Sequence, residues 1–208
     1  MTRRFFIERT LRQIYGGYVT DDSEITVNLV NTWLNDAIGQ AARINYSENI
    51  KIDAISFVNN SFYTTYKGIS VSEDEKNLWK FPLPHIPYGL GTDLGVGTVE
   101  LKDEKNNVTH PLIPLTQNQR TYYKSMRPIP NKFLYYSESA YIYIVSTLLL
   151  NGYTAQVTMV SGGNPSDLDS VLNVPDDYMP IMVEYIKQQL LLEKAQPQDT
   201  ANDGADKA

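Results

Sequence analysis

The hydrophobic periodicity of the chain changes twice, and this constrains the fold more than any other feature. From about Ser23 to Tyr46, apolar residues recur every four positions, which predicts a long helix. The recurring residues are Ile25, Leu29, Trp33, Ala37 and Ala41. From about Lys51 to Gly163 this spacing is lost, and short β-branched and aromatic runs alternate with Pro, Gly and Asn, which is typical of a β-rich unit. Helical spacing returns after Pro175.

Two further helices are predicted at the ends of the chain. Thr2–Tyr15 has apolar residues near one helical face and is followed by Gly16-Gly17, a stop signal. Asp21 and Glu24 have the spacing of a capping box before the long helix. The paired Asp176 and Asp177 favour the positive end of the closing helix.

We therefore predict the α+β class, with N-terminal helices and a C-terminal helix packed with a central antiparallel β-sandwich or barrel-like unit. The predicted domains are a helical domain (1–50 plus 170–195), a β-rich domain (51–169) and a flexible acidic tail (196–208). The candidate strands are Ala54–Val58, Phe62–Lys67, Asn77–Phe81, Gly97–Leu101, Val108–Pro111, Lys132–Tyr136, Tyr141–Ser146 and Ala155–Val160. Asp103–Asn107 has the composition of a hairpin tip.

Composition excludes several classes of function. There are no cysteines among the 208 residues, which excludes disulfides, thiolate catalysis and Cys-bound metals. The net charge of −6 argues against a general nucleic-acid binder. We expect neither a secretory signal nor a membrane span, because no apolar run approaches the ~20 residues that a span needs.

The sequence contains no motif that predicts catalysis, a cofactor or a metal. His85 and His110 each adjoin a proline and lack metal-ligand spacing. The glycines between Gly89 and Gly97 miss the dinucleotide fingerprint. We therefore predict a protein that is not an enzyme and needs no cofactor. An enzyme with a dispersed carboxylate site stays an alternative, with Asp167 and Asp169 as its candidate residues.

Interface-forming residues are the more informative signal. The chain has 15 Tyr and only 6 Phe, and Tyr is favoured both at interfaces and in strands. The closing helix has apolar residues on two faces, so it needs covering on more than one side. The predicted partner-binding residues are Tyr178, Ile181, Met182, Tyr185, Ile186, Leu190, Arg3 and Arg4.

The order of elements carries a family resemblance. The closing helix opens with Val-Pro-Asp-Asp-Tyr-Met-Pro at 174–180, followed by Glu-Tyr-Ile at 184–186. This resembles the head-to-tail adaptor and ring proteins of short-tailed bacteriophages, which open their closing helix on Leu/Val-Pro-Asp/Glu-x-Tyr. The start of the chain, Phe5–Gly17 followed by Asp22–Asn45, looks most similar to the ring proteins of crAss-like phages.

The resemblance implies a structural subunit of a dodecameric connector ring. It implies binding to copies of itself, to the portal protein on one side and to other tail or ring proteins on the other. DNA would pass through the ring without specific binding, and the protein would be part of the virion after assembly in the host cytoplasm. It implies no catalytic residue, cofactor or membrane partner.

A binding module of a phage particle is the alternative function. In that hypothesis the β-rich domain binds carbohydrate or a receptor. Exposed tyrosines and Trp79, beside the loop between Gly89 and Gly97, would form the site.

Overall fold

A computed structural model describes residues 1–17, 26–53, 57–90, 95–122, 132–164 and 166–195. Helices and strands both occur, and this confirms the predicted α+β class. In the described residues the helices are α1 (Arg3–Ile14), α2 (Val27–Asp53), α3 (Gln117–Tyr122) and α4 (Met179–Ala195). The strands are β1 (Tyr63–Ser70), β2 (Ser72–Glu75), β3 (Leu78–Pro82), β4 (Val96–Asp103), β5 (Val108–Pro114), β6 (Phe133–Glu138), β7 (Tyr141–Val145) and β8 (Tyr153–Val160).

The chain divides into two compact units. Unit 1 comprises Met1–Ala41 with Gly163–Ala208, and unit 2 comprises Ala42–Gly162. Helix α2 contributes residues to both units. The sequence placed the corresponding boundaries near 50 and 170, and the predicted flexible tail at 196–208 lies outside the described residues. No described helix has the length and apolarity needed to cross a bilayer.

Unit 1 contains the helices expected at the two ends of the chain. The side chain of Thr2 caps α1 by accepting a hydrogen bond from the backbone N–H of Phe5 at 3.3 Å. Thr26 accepts from the backbone N–H of Leu29 at 3.2 Å at the start of α2. The capping box predicted at Asp21 and Glu24 lies outside the described residues.

In the predicted apolar face of α2, Trp33, Ala37 and Ala41 are buried and Leu29 is half-buried, while Ile25 lies outside the described residues. The buried apolar residues that α2 contributes to unit 1 are Val30, Trp33, Leu34, Ala37, Ile38 and Ala41. Helix α4 follows a short 3₁₀ turn at Asp176–Tyr178. The buried residues of α4 are Met182, Ile186 and Leu190, spaced four apart.

Unit 2 is built on one curled, half-barrel sheet of eight strands in the order β1-β8-β4-β5-β6-β7-β3-β2. All described neighbours are antiparallel except β5 and β6, which are parallel. The sheet is therefore mixed, and the prediction of an entirely antiparallel unit was wrong at this pair.

Two changes of partner explain the curl. Strand β5 pairs with β4 through Pro111, and from Leu112 onward it pairs with β6. A strand that switches partners in this way forms a corner of the sheet. The second corner is at Val71, the single residue between β1 and β2. Because these two strands occupy opposite edges of the sheet, the edges must approach each other there.

The concave side of this sheet holds the core of unit 2. Alternate residues of β3, β6, β7 and β8 point to it, as period-2 alternation requires. Its buried residues are Trp79, Phe81, Leu83, Val99, Leu101, Leu112, Phe133, Tyr135, Ile142, Ile144, Leu150, Ala155, Val157 and Met159. Burying so many large side chains in one cluster gives unit 2 its main stabilisation.

All the predicted strands but one are found, and one observed strand was not predicted. The first candidate, Ala54–Val58, was wrong in its described part, because Phe57 and Val58 have no regular structure. Strand β2 was missed. The predicted hairpin tip is confirmed between β4 and β5, where the Asp103 carboxylate accepts hydrogen bonds from the backbone N–H groups of Lys105 and Asn106.

Candidate functional site

Arg3, one of the predicted partner-binding residues, lies inside unit 1. Its side chain is completely buried, and its Nη2 donates to Oδ1 of Asn31 at 2.8 Å and to Oδ1 of Asn35. The backbone N–H of Arg3 also donates to the carbonyl of Ser170 at 3.1 Å. Arg3 therefore joins α1 to α2 and to the segment before α4, and its side chain is not exposed.

Arg4 lies at the surface, where it forms an ion pair with Asp169. Its Nε and Nη2 donate to the two carboxylate oxygens at 2.7 and 3.2 Å. The hydrogen bond from Arg4 lowers the pKa of Asp169, and the same contact raises the pKa of Arg4. The positive charge of Arg4 therefore favours the ionised form of Asp169. A general acid, or the protonated member of a carboxylate pair, needs the protonated form instead.

Asp167, the other residue of the alternative carboxylate site, has a local structural role. Its Oδ1 accepts a hydrogen bond from the backbone N–H of Asp169 at 3.0 Å, which closes an Asx turn. The pair is thus explained by loop geometry and by Arg4. In the part of the chain that the structure describes, no group of three or more His, Asp or Glu side chains could hold a metal ion.

The residues predicted on the closing helix separate into two sets. Met182, Ile186 and Leu190 are buried within the chain. Ile181 is 37% exposed and Tyr178 and Tyr185 are half-buried. The prediction of a partner surface on α4 stays a prediction, and the structure limits it to this second set.

Two exposed residues next to that set were not among the predicted partner-binding residues. Leu191 and Leu192 are 65% and 61% exposed at the end of α4. Positions 181, 185 and 192 follow one helical stripe, at intervals of four and seven residues. Ile181, Tyr185 and Leu192 therefore lie on one stripe, which also carries the exposed Gln188, and Leu191 adds apolar area beside its end. We call Ile181, Tyr185, Leu191 and Leu192 the α4 surface.

Unit 2 has a second, smaller cluster on the side of β6 and β7 opposite the main core, in which Tyr136 is buried with Leu78 and Leu115. The rings of Tyr136 and Tyr143 stack at 5.1 Å between centroids, with planes 10° apart. The Arg120 guanidinium lies 5.1 Å from the Tyr136 ring centre. Tyr141 is 40% exposed, and Lys80 lies 5.4 Å from its ring. Among the strand tyrosines, Tyr136 and Tyr143 therefore pack on the sheet, while Tyr141 is partly exposed to solvent.

Trp79 was predicted to be an exposed sugar-binding residue, and this was wrong. It is 2% exposed and belongs to the core of unit 2. The reason is its position in β3, where alternation places Trp79 and Phe81 on the core side. A stacking platform for a carbohydrate cannot be formed by this side chain.

The two histidines occupy packing positions. His85 lies 6.2 Å from the Tyr66 ring and 5.7 Å from the Tyr88 ring, measured between centroids. The ring of His110 contacts Phe133 edge-on at 5.4 Å. These contacts give each histidine a structural role that needs no metal.

Comparison with known proteins leaves the family open. No protein-family model and no curated protein matches the chain.

Proposed function

We propose that the chain is a structural subunit of the head-to-tail connector ring of a short-tailed bacteriophage. The observation that carries the proposal is the α4 surface. Its buried stripe is covered by the chain itself, while Leu191 and Leu192 remain more than half exposed on the same helix. Contiguous exposed apolar residues are typical of protein–protein interfaces.

The sequence context supports this use of the helix. The α4 surface follows the Pro-Asp-Asp-Tyr opening at 175–178 that resembles the phage adaptor and ring proteins. An amphipathic helix of this kind binds by laying its apolar residues into a groove of its partner. We expect that partner to be the portal protein, with copies of the same chain and other tail or ring proteins completing the connector.

Charge is consistent with a ring that DNA traverses. The net charge of the chain is −6, and an acidic protein repels the phosphate backbone. Such a channel wall would let DNA slide without holding it. The proposed location is the virion, after assembly in the host cytoplasm.

Native mass spectrometry tests the proposal directly. The purified chain is measured alone and after mixing with the portal protein of the same phage. The expected result is a discrete ring or a stoichiometric complex with the portal. A chain that remains monomeric in both samples would contradict the proposal.

A pair of matched variants locates the interface. Leu192→Asp places a charge on the α4 surface and is expected to abolish the portal complex, because an uncompensated charge in an apolar interface is costly. Val108→Asp is the control, since Val108 is 44% exposed at the hairpin tip of unit 2. Equal loss of the complex in both variants would contradict binding through α4.

A further inference from the structure

A groove of about 490 Å³ lies on the side of β1, β8 and β4 that faces away from the core of unit 2. The size is within the ~300–1,000 Å³ typical of small-ligand sites. One wall is the segment that precedes β1. The lining residues are Phe57, Val58, Asn60, Tyr63, Thr65, Gly97, Thr98 and Thr158.

Two aromatic rings give the groove its apolar surface. Phe57 lines the groove and is 41% exposed. The ring of Tyr63 lies against the backbone of Gly97, where an added Cβ would be 3.0 Å from Tyr63 Cε1. Gly97 therefore lets the Tyr63 ring approach the sheet closely and form part of the floor.

A row of hydroxyl groups lies beside the rings. The strand register places Thr65 opposite Thr158, and Thr98 opposite Thr158 on the other side. The hydroxyls of Thr65 and Thr158 are 2.9 Å apart. Because two hydroxyls share only one proton in such a bond, one O–H donor and several lone pairs remain for a ligand.

The polar groups of the groove are all neutral. None of its described lining residues is an Asp, Glu, Lys or Arg, so the site offers no counter-charge to a phosphate, a carboxylate or an amine. Burial raises the pKa of the Tyr63 phenol, and the group therefore stays an uncharged O–H at neutral pH. The ligand that fits has an apolar face and a rim of hydroxyls.

We propose that this groove binds an uncharged carbohydrate, with Phe57 and Tyr63 contacting the C–H face of a sugar ring and the threonines hydrogen-bonding its hydroxyls. The apolar groups and the few convergent hydroxyls are the combination by which proteins bind and orient small polar ligands. This inference does not rest on the connector proposal. It moves carbohydrate binding from Trp79, which is buried, to a different face of the same sheet.

Saturation-transfer NMR and calorimetry test the site on the full chain. The probes are neutral oligosaccharides of glucose, galactose, mannose and N-acetylglucosamine, the polysaccharides dextran and mannan, and glucose phosphate as a charged probe. We expect binding to at least one neutral sugar and none to glucose phosphate. A preference for the polysaccharides would identify a surface polymer as the source of the ligand.

Two variants of groove residues test whether the sugar binds there. Phe57→Ala and Thr98→Val change exposed side chains, so the fold is retained, and each is expected to weaken binding about tenfold or more. The matched controls Tyr122→Ala and Thr109→Val change exposed residues outside the groove and should bind like the wild type. The proposal is overturned if no neutral sugar binds, if both groove variants bind as tightly as the wild type, or if glucose phosphate binds best.

Discussion

Replacing the buried Arg3 tests whether the link between α1 and α2 stabilises unit 1. Arg3→Met keeps a side chain of similar length and removes the donor to Asn31 and Asn35. Hydrogen bonds from a charged donor contribute about 1.5–3 kcal/mol each. Part of that loss is returned, because the desolvation cost of a buried guanidinium disappears with it. The free energy of unfolding should therefore fall by about 1–3 kcal/mol.

The partner variant distinguishes the hydrogen bonds from simple packing. Asn35→Leu leaves the guanidinium buried with a lost acceptor, and we expect a loss of about 2 kcal/mol or more, since uncompensated buried charge is costly. The Arg3→Met/Asn35→Leu double variant removes both the donor and the acceptor of this hydrogen bond, so neither is left buried without its partner. Its loss should be smaller than the sum of the two single losses by about 1–2 kcal/mol.

Urea unfolding followed by far-ultraviolet circular dichroism measures these differences. A loss of about 2 kcal/mol corresponds to a fall of about 1 M in the unfolding midpoint, for a typical urea slope. Arg9→Met is the control, because Arg9 is exposed on the same helix, and its effect should stay within about 0.5 kcal/mol. A stabilising role of Arg3 through Asn35 is refuted if Arg3→Met lowers the free energy of unfolding no more than Arg9→Met does. It is also refuted if the loss in the double variant equals the sum of the losses of Arg3→Met and Asn35→Leu.

Two further predictions concern local structure. The pKa of Asp103 is lowered, chiefly by the hydrogen bond from the Asn106 side chain. The ionised Asp103 therefore stabilises the fold above the unfolded pKa of about 3.9, and this stabilisation is lost as the pH falls through the folded pKa. When the free energy of unfolding is measured at decreasing pH, Asp103→Asn should show a shallower decline than the wild type. Gly163→Ala should cost about 2–4 kcal/mol, because Gly163 has φ +90° and a Cβ there would overlap the carbonyl oxygen of Val171. Gly152→Ala, at φ +86° with open space around it, should cost less when both variants are measured by urea unfolding.

Helices α1, α2 and α4 and most strands could be predicted because their signals are local, whereas the short helix α3 was not predicted. The four-residue spacing of α2 and the alternation in β7 each depend on residues within one element. Strand β2 escaped prediction because Ser-Glu-Asp-Glu at 72–75 has no apolar face, and all four residues are exposed. It is an edge strand that β3 holds in place through backbone pairing.

The corners of the sheet could not be predicted from the same signals. The candidate strand Val108–Pro111 ended at a proline, a residue that removes one hydrogen-bond donor from the ladder. In the structure β5 continues to Pro114, because its partner changes from β4 to β6 just after that proline. Pairing with β4 does end at Pro111, as expected for a proline. The rest of β5 is a strand because it pairs with β6, which is parallel to it and more than twenty residues away along the chain.

The same limit explains the mixed outcome for the candidate partner residues. Arg3 was predicted to bind a partner, yet its side chain is buried against Asn31 and Asn35, which are 28 and 32 residues away in sequence. On α4, Met182 and Leu192 have the same apolar chemistry, and sequence spacing alone gave no reason to separate them. The structure separates them, since one is fully buried and the other is 61% exposed.

That separation is also what makes the connector proposal testable. Removing apolar area from water stabilises the fold when the residue is in the core, and stabilises the complex when the residue is in an interface. The stability of the isolated chain therefore does not respond to an exposed residue such as Leu192, whether or not that residue binds a partner. Substituting Leu192 should leave the free energy of unfolding of the monomer almost unchanged, while Met182→Ala should lower it by about 2–5 kcal/mol. A function for the α4 surface therefore has to be measured as assembly, and it is the contrast between an unchanged monomer and a lost complex that would assign Leu192 to an interface.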